Sequence, residues 1–85
     1  MNLILYIFIG NDEVIKTNKI ITILDYQLHC LSLKKLIDKR KKLKQVSGNE
    51  KEAKSIIVTD DYIYFSSLST YTLKKRDYSD VVNNR

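Results

Sequence analysis

Leu3-Ile4-Leu5-Tyr6-Ile7-Phe8-Ile9 is an unbroken apolar run at the start of an 85-residue chain. Seven residues fall well short of the about 20 that a membrane helix needs. No base precedes the run and Asn11-Asp12-Glu13 follows it, so it lacks the pattern of a secretory leader. The expected structure is therefore a buried strand, and the expected location cytoplasmic. Side chains alternate along a strand. Leu3, Leu5, Ile7 and Ile9 take one face; Ile4, Tyr6 and Phe8 take the other. Both faces are apolar, and one helix covers only one face of a small sheet. The second face needs another subunit or the chain's own C-terminal turn, because soluble monomers avoid large apolar patches. A homo-oligomer is the expected solution.

Size points the same way. Eighty-five residues make one domain and bury roughly 60–65% of the unfolded surface, which favours a stabilising second copy. A single cysteine rules out an intrachain disulfide. With no proline and only two glycines there is no flexible linker. The expected division is a domain over residues 1–76 and a polar tail over 77–85.

Along that domain, residues 3–9 read as a first strand and Gly10-Asn11-Asp12 as a turn. Residues 13–16 and 19–25 read as two further strands. Ser32 suits a helix N-cap, and residues 33–45 carry apolar side chains at Leu33, Leu36, Ile37 and Leu43, with Arg40 interrupting the stripe. Gly48-Asn49 reads as a helix stop or loop. Residues 55–59 and 62–66 are rich in β-branched and aromatic side chains and flank Asp60-Asp61, a hairpin in which both aspartates would take positive φ. Ser69 or Thr70 caps a last helical turn running to Arg76. The fold class is α+β, with a small, mainly antiparallel sheet of about five strands, one main helix and a short C-terminal helical turn.

Charge supplies the functional clue. The formal balance is +5, and Lys34, Lys35, Lys39, Arg40, Lys41, Lys42 and Lys44 crowd the helix against Asp38 alone. A basic face is an electrostatic footprint for a polyanion, although it also describes a solvated helix exterior. Copies of the chain would repeat the field, and phosphate contacts gain affinity with their number through counterion release.

Catalytic chemistry finds no support. His29-Cys30 has no further ligands nearby, where a zinc site needs about four. Adjacent residues also rarely face each other as a nucleophile–base pair. Ser66, Ser67 and Ser69 have no base partner in the pattern. Tyr62 and Tyr64 share a strand face that would suit either base stacking or a protein interface. No catalytic residue, metal, cofactor or small-molecule substrate is expected.

The order of these segments resembles that of the RemA/RemB regulators of the extracellular biofilm matrix, and especially the RemB branch. Tyr6-Ile7-Phe8-Ile9-Gly10 is similar to their opening Tyr-(Ile/Leu)-His-Leu-Gly. Ile20-Ile21-Thr22-Ile23-Leu24-Asp25 is similar to Ile-Val-(Gly/Ala)-Ile-Phe-Asp. The strand ending in Val58-Thr59, followed by Ile63-Tyr64-Phe65-Ser66 and Thr72-Leu73-Lys74-Lys75-Arg76, completes the match. The resemblance implies a LytTR-like domain that assembles into rings, binds double-stranded DNA and regulates biofilm-matrix genes. RemA proteins carry Asn-Arg where this chain has Asn18-Lys19, and an Arg-Arg-x-Arg cluster where it has Lys51-Glu52-Ala53-Lys54. Lysine lacks the bidentate fork of arginine, and Glu52 repels phosphate, so backbone attraction survives the change better than strong or specific binding. Phe8 in place of histidine and the added residues 2–5 are further departures. Lys19, Lys51 and Lys54 are the first candidates for DNA contact; Lys34, Lys35, Lys39, Arg40, Lys41 and Lys42 are the second. The alternative is a scaffold module that oligomerises with RemA-like or acidic partners and touches no DNA.

Overall fold

The structure, a computed structural model, describes residues 5–75. Leu3, Ile4, Arg76 and the expected tail at 77–85 lie outside the described residues. In chain order the described residues form β1 (Tyr6–Phe8), β2 (Val14–Lys16), β3 (Ile20–Asp25), α1 (Tyr26–His29), α2 (Lys34–Lys42), β4 (Val46–Ser47), β5 (Ser55–Thr59) and β6 (Ile63–Ser66). A final helix, α3, spans residues 70–75. Short 3-10 turns at Thr17–Lys19 and Glu50–Glu52 lead toward β3 and β5. The α+β class, the main helix and the C-terminal helical turn are those expected from sequence. The strands divide between two sheets, however, instead of forming one sheet of about five.

Ile56, Ile57 and Val58 explain the centre. An alternating strand that is apolar at every position must be covered on both faces, and all five residues of β5 are buried. The main sheet has the order β3-β5-β6-β4. Its pairings are antiparallel except for the two-residue β4, which runs parallel to β6. On one side, Ile56, Val58, Ile63 and Phe65 pack against Ile37 of α2, with Tyr26 and Leu36 beside them. On the other, Ile57 meets Ile7, Ile9 and Ile15 from the β1–β2 hairpin and Leu73 from α3. The molecule is a three-layer stack: helix, four-stranded sheet, then hairpin with α3.

Buried hydroxyls fasten the third layer. Ser66 Oγ donates to the Ile9 carbonyl at 2.6 Å and accepts the Leu68 N–H at 3.0 Å. Ser55 Oγ donates to the Leu68 carbonyl at 2.6 Å. Ser69 Oγ accepts the Thr72 N–H at 3.1 Å, so of the two expected caps of α3, Ser69 and Thr70, it is Ser69 that serves.

Several local expectations need correction. The first strand covers Tyr6–Phe8 and stops short of Ile9, because Ile9 already closes the turn by donating to the Glu13 carbonyl at 3.0 Å; its expected start at Leu3 lies outside the described residues. Gly10, Asn11 and Asp12 take positive φ (87°, 56° and 58°), as a tight turn demands. The second, third and last strands each start one residue later than expected, at Val14, Ile20 and Ile63. Ser32 does not cap the main helix. Its hydroxyl donates back to the His29 carbonyl at 3.0 Å, and α2 begins after Leu33 with no side-chain cap. A short helix that the sequence reading missed, α1, is the capped one: Asp25 accepts the Leu28 N–H at 3.0 Å. The main helix stops at Lys42, with Lys44 at φ 57°, so Gly48 is not its terminator. Gly48, at φ 95°, is needed for close approach, because a Cβ there would lie 2.2 Å from the Phe65 carbonyl oxygen. Asp60 and Asp61 are not in the positive-φ region. The Thr59 side chain makes that turn instead, its Oγ1 accepting the Tyr62 N–H at 2.9 Å.

Candidate nucleic-acid interface

The basic residues singled out from sequence fall into three sets. On α2, Lys35, Lys39 and Lys42 recur at i, i+4 and i+7, the spacing that places side chains on one helical stripe. Ile37 turns the opposite side of the helix into the core, and these three lysines are exposed. The stripe spans about 10 Å along the helix. None of the three forms an ion pair with a described residue.

The other helix candidates are committed within the chain. Lys34 Nζ lies 3.6 Å from Asp38, one helical turn on. Lys41 Nζ donates to Glu50 Oε1 at 2.6 Å, while Tyr26 Oη donates to Glu50 Oε2 at 2.9 Å. The Lys41 ammonium and the Tyr26 hydroxyl hold the Glu50 carboxyl below its ordinary value against the opposing effect of burial. Reciprocally, the hydrogen bond to Glu50 raises Lys41 and Tyr26. Arg40 Nη2 donates to the Asp60 carbonyl at 3.3 Å; its Nη1 is buried without a partner among the described residues. Arg40 thus bridges the helix to the β5–β6 turn, which is why it interrupts the apolar stripe.

Lys19, Lys51 and Lys54 are exposed, but a single chain does not assemble them. Lys19 ends the 3-10 turn before β3, and Ile20 pairs with Thr59 at the far end of β5. Lys54 directly precedes β5, and its carbonyl accepts the Tyr26 N–H at 3.0 Å, next to Asp25. Lys51 lies in the turn just before it. The length of β3 separates Lys19 from the other two by about 20 Å. Glu52 is exposed in the same turn as Lys51 and offsets its charge.

His29 and Cys30 turn toward their own helix: His29 Nδ1 lies 3.1 Å from the Asp25 carbonyl, and Cys30 Sγ lies 3.9 Å from that of Gln27. Among the described residues no group of His, Cys, Asp and Glu is arranged to hold a metal ion. Tyr62 and Tyr64 stack on each other, centroids 5.7 Å apart. Burial raises the Tyr64 hydroxyl above its ordinary value, and its ring packs beside the Ile7–Ile57 cluster. No described helix is long and apolar enough to cross a membrane.

The feature that sequence reasoning placed only by implication is the outer face of the β1–β2 hairpin. Tyr6 is 51% exposed, Phe8 44% and Val14 54%, and Phe8 lies directly across from Val14. The alternation of residues 3–9 was the signal for it.

Comparison with known proteins bears on all of these residues. The RemA-like family, described as extracellular matrix regulatory protein A-like, matches residues 6–76. The extracellular matrix regulatory protein B of Bacillus subtilis (strain 168) is 39% identical over 72 residues, which cover 85% of this chain and 89% of that protein.

Proposed function

The chain belongs to the RemA-like family, on its RemB branch, and from that premise we propose that it is a non-enzymatic cytoplasmic regulator that forms a homo-oligomeric ring and binds double-stranded DNA through the phosphate backbone. The observation that carries this reading is the Lys35–Lys39–Lys42 stripe, three exposed ammonium groups without ion-pair partners among the described residues. Lys19, Lys51 and Lys54 add exposed charge elsewhere on each copy. Lysines act here as point charges, so contacts position the protein on the duplex without reading base edges. One stripe supplies a few weak contacts. A ring multiplies them at high effective concentration.

Gel retardation over a salt series tests the reading. Log affinity should fall linearly with log salt. Replacing Lys35 and Lys39 by Glu should lower the slope by about one unit per lost phosphate contact. Charge reversal at Lys19 and Lys51 should lower it further. Micromolar protein that gives no retardation at low salt rejects DNA binding.

The exposed Tyr6, Phe8 and Val14 favour a second reading: a scaffold module that joins RemA-like or acidic protein partners without touching DNA. Light scattering alongside the retardation series separates the two. Assembly with no salt-dependent retardation selects the scaffold.

A further inference from the structure

Two apolar features lie on opposite sides of the main sheet. The first is the outer face of β1–β2, where Tyr6 keeps about half of its surface in water. The second is a cleft in the helix layer, between α1 and α2, with a volume of about 160 Å³. Tyr26, Cys30, Leu31 and Ile37 give the cleft apolar walls, and Lys34 and Asp38 belong to its polar lining. A dry cavity of about 150 Å³ holds one benzene molecule, so the cleft is the size of a single aromatic ring. Leu31 on its wall is 84% exposed, the highest value among the large apolar side chains described. Because the hairpin and the helix layer are separated by the sheet, a copy cannot seat its own Tyr6 in its own cleft.

Charge matches as well as size. Lys16 lies directly across the hairpin from Tyr6, so the two share the outer face with about 5 Å between them. Lys16 makes no ion pair with a described residue. Of the two acids at the cleft, Glu50 is already shared by Lys41 and Tyr26. Asp38 meets only Lys34, at a loose 3.6 Å, and stays half exposed. A Tyr6 ring entering the cleft would carry the Lys16 ammonium to the Asp38 carboxylate at its rim. Tyrosine suits such a seat, having an apolar body for the walls and a hydroxyl for the polar lining.

We propose that this chain assembles head to tail: the β1–β2 hairpin of one copy docks on the α1–α2 face of the next, with Tyr6 seated in the cleft and Lys16 beside Asp38. The inference rests on the oligomer reading above and names the two surfaces that join. A contact between unlike patches repeats from copy to copy, and it closes into a ring where the rotation per copy permits. The docked face of α2 is the row Lys34, Asp38 and Lys41, at i, i+4 and i+7. The Lys35–Lys39–Lys42 stripe is the neighbouring row, one position further round the helix. Assembly therefore leaves the candidate DNA contacts uncovered and repeats them once per copy.

Cysteine cross-linking tests the contact. In a Cys30→Ser background, Lys16→Cys, Asp38→Cys and the double variant are treated with a short bismaleimide at micromolar protein. Each single variant should stay near background on a denaturing gel, because like sites do not meet in a head-to-tail contact. The double variant should give a ladder of covalent multimers that runs past the dimer. Tyr6→Ala should raise the dissociation constant of the assembly roughly 30-fold or more, the size of an interface hot spot. Lys35→Glu with Lys39→Glu should keep the parent's mass by light scattering. A covalent dimer from either single variant overturns the head-to-tail contact. A double variant without a ladder, in a protein that still scatters as an oligomer, overturns the docking and leaves the oligomer reading on another surface. Unchanged association of Tyr6→Ala overturns the seating of its ring. Dissociation of the Lys35→Glu, Lys39→Glu variant overturns the separation of the two helix rows. A monomeric mass for the unmodified protein overturns both the docking and the oligomer, and leaves the cleft to another occupant.

Discussion

The two hairpins of this chain start from similar material and end differently. β1–β2 and β5–β6 are both rich in β-branched and aromatic side chains, and neither has a face that is polar throughout. In β5–β6 the arrangement resolves completely: α2 covers one face and β1–β2 with α3 covers the other, so Ile56, Ile57, Ile63 and Phe65 lose essentially all contact with water. In β1–β2 the described residues cover only the inner face. Ile7, Ile9 and Ile15 are buried while Tyr6, Phe8 and Val14 stay half exposed. Composition says that a surface wants cover; topology decides whether the same chain supplies it. Among the described residues the cover goes to the central hairpin, and the outer hairpin face keeps about half of Tyr6, Phe8 and Val14 in water.

The sharpest way to break that contrast is to truncate one aromatic side chain from each hairpin. Phe65→Ala removes a fully buried ring that meets Tyr26 edge-on with centroids 6.1 Å apart. It should cost about 3–5 kcal/mol by chemical denaturation, much of the stability of a domain this size. Tyr6→Ala removes a ring that one chain leaves half in water and should change the stability of the dissociated chain by less than about 1 kcal/mol. The same substitution should reduce the mass seen by light scattering if the hairpin face meets a neighbour. Equal losses of monomer stability at the two sites would show that the hairpins do not differ in the way described.

Gly48→Ala comes next. The added methyl would sit 2.2 Å from the Phe65 carbonyl oxygen, on backbone at φ 95°. Neither problem is relieved by turning a side chain, and together they should cost about 2–3 kcal/mol. The damage should fall on the β4 edge, so faster amide exchange at Ile63 and Tyr64 than at Ile7 would locate it.

Ser66→Ala probes the joint between the hairpins. The hydroxyl is buried and serves both the Ile9 carbonyl and the Leu68 N–H. Its loss strands two buried backbone groups, at about 1–3 kcal/mol. Denaturation should report the loss, and Ile7 and Ile9 should gain exchange more than Phe65 does.

What the sequence revealed follows the range of the interactions involved. Five of the six strands declared themselves because alternation and β-branching are local; the two-residue β4 carried no such pattern and was not expected. The Gly10-Asn11-Asp12 turn did so because residue types that tolerate positive φ stood together. The cap of α3, read as Ser69 or Thr70, is equally local, and Ser69 supplies it. Ser32 reads as the cap of the main helix, yet it bonds backward to His29; the capped helix is α1, closed by Asp25, and its four residues carried no pattern of their own. Gly48 reads as a helix stop or a loop and not as a point of close approach, because the strand that passes it, β6, lies 15 residues downstream or more. The basic residues were legible as types and not as a site. Lys41 is neutralised by a glutamate nine residues away, Arg40 is held by a turn twenty residues away, and Lys19 is parted from Lys51 and Lys54 by the length of a strand. Each of those facts is tertiary.

The smallest effect concerns what keeps α2 over the enclosed hairpin. Glu50 accepts from Lys41 on α2 and from Tyr26 on α1, beside the outer cluster of the sheet. Its carboxyl is held below the ordinary value, first by the Lys41 hydrogen bond and then by that of Tyr26. A carboxyl depressed in the folded state contributes stability that is present above its unfolded value and lost as pH falls through the folded one. The clamp should therefore hold at neutral pH and fade in the acid range, after the ordinary carboxylate range has been crossed. Both partners keep part of their surface in water, so solvent screens the pair and Glu50→Gln should cost under about 1 kcal/mol at neutral pH. The deficit of the variant against the parent should shrink as pH falls, because the parent loses the same charge. A deficit that stays constant from neutral pH into acid would assign the effect to packing of the side chain and leave the charge no part in holding α2 on the sheet.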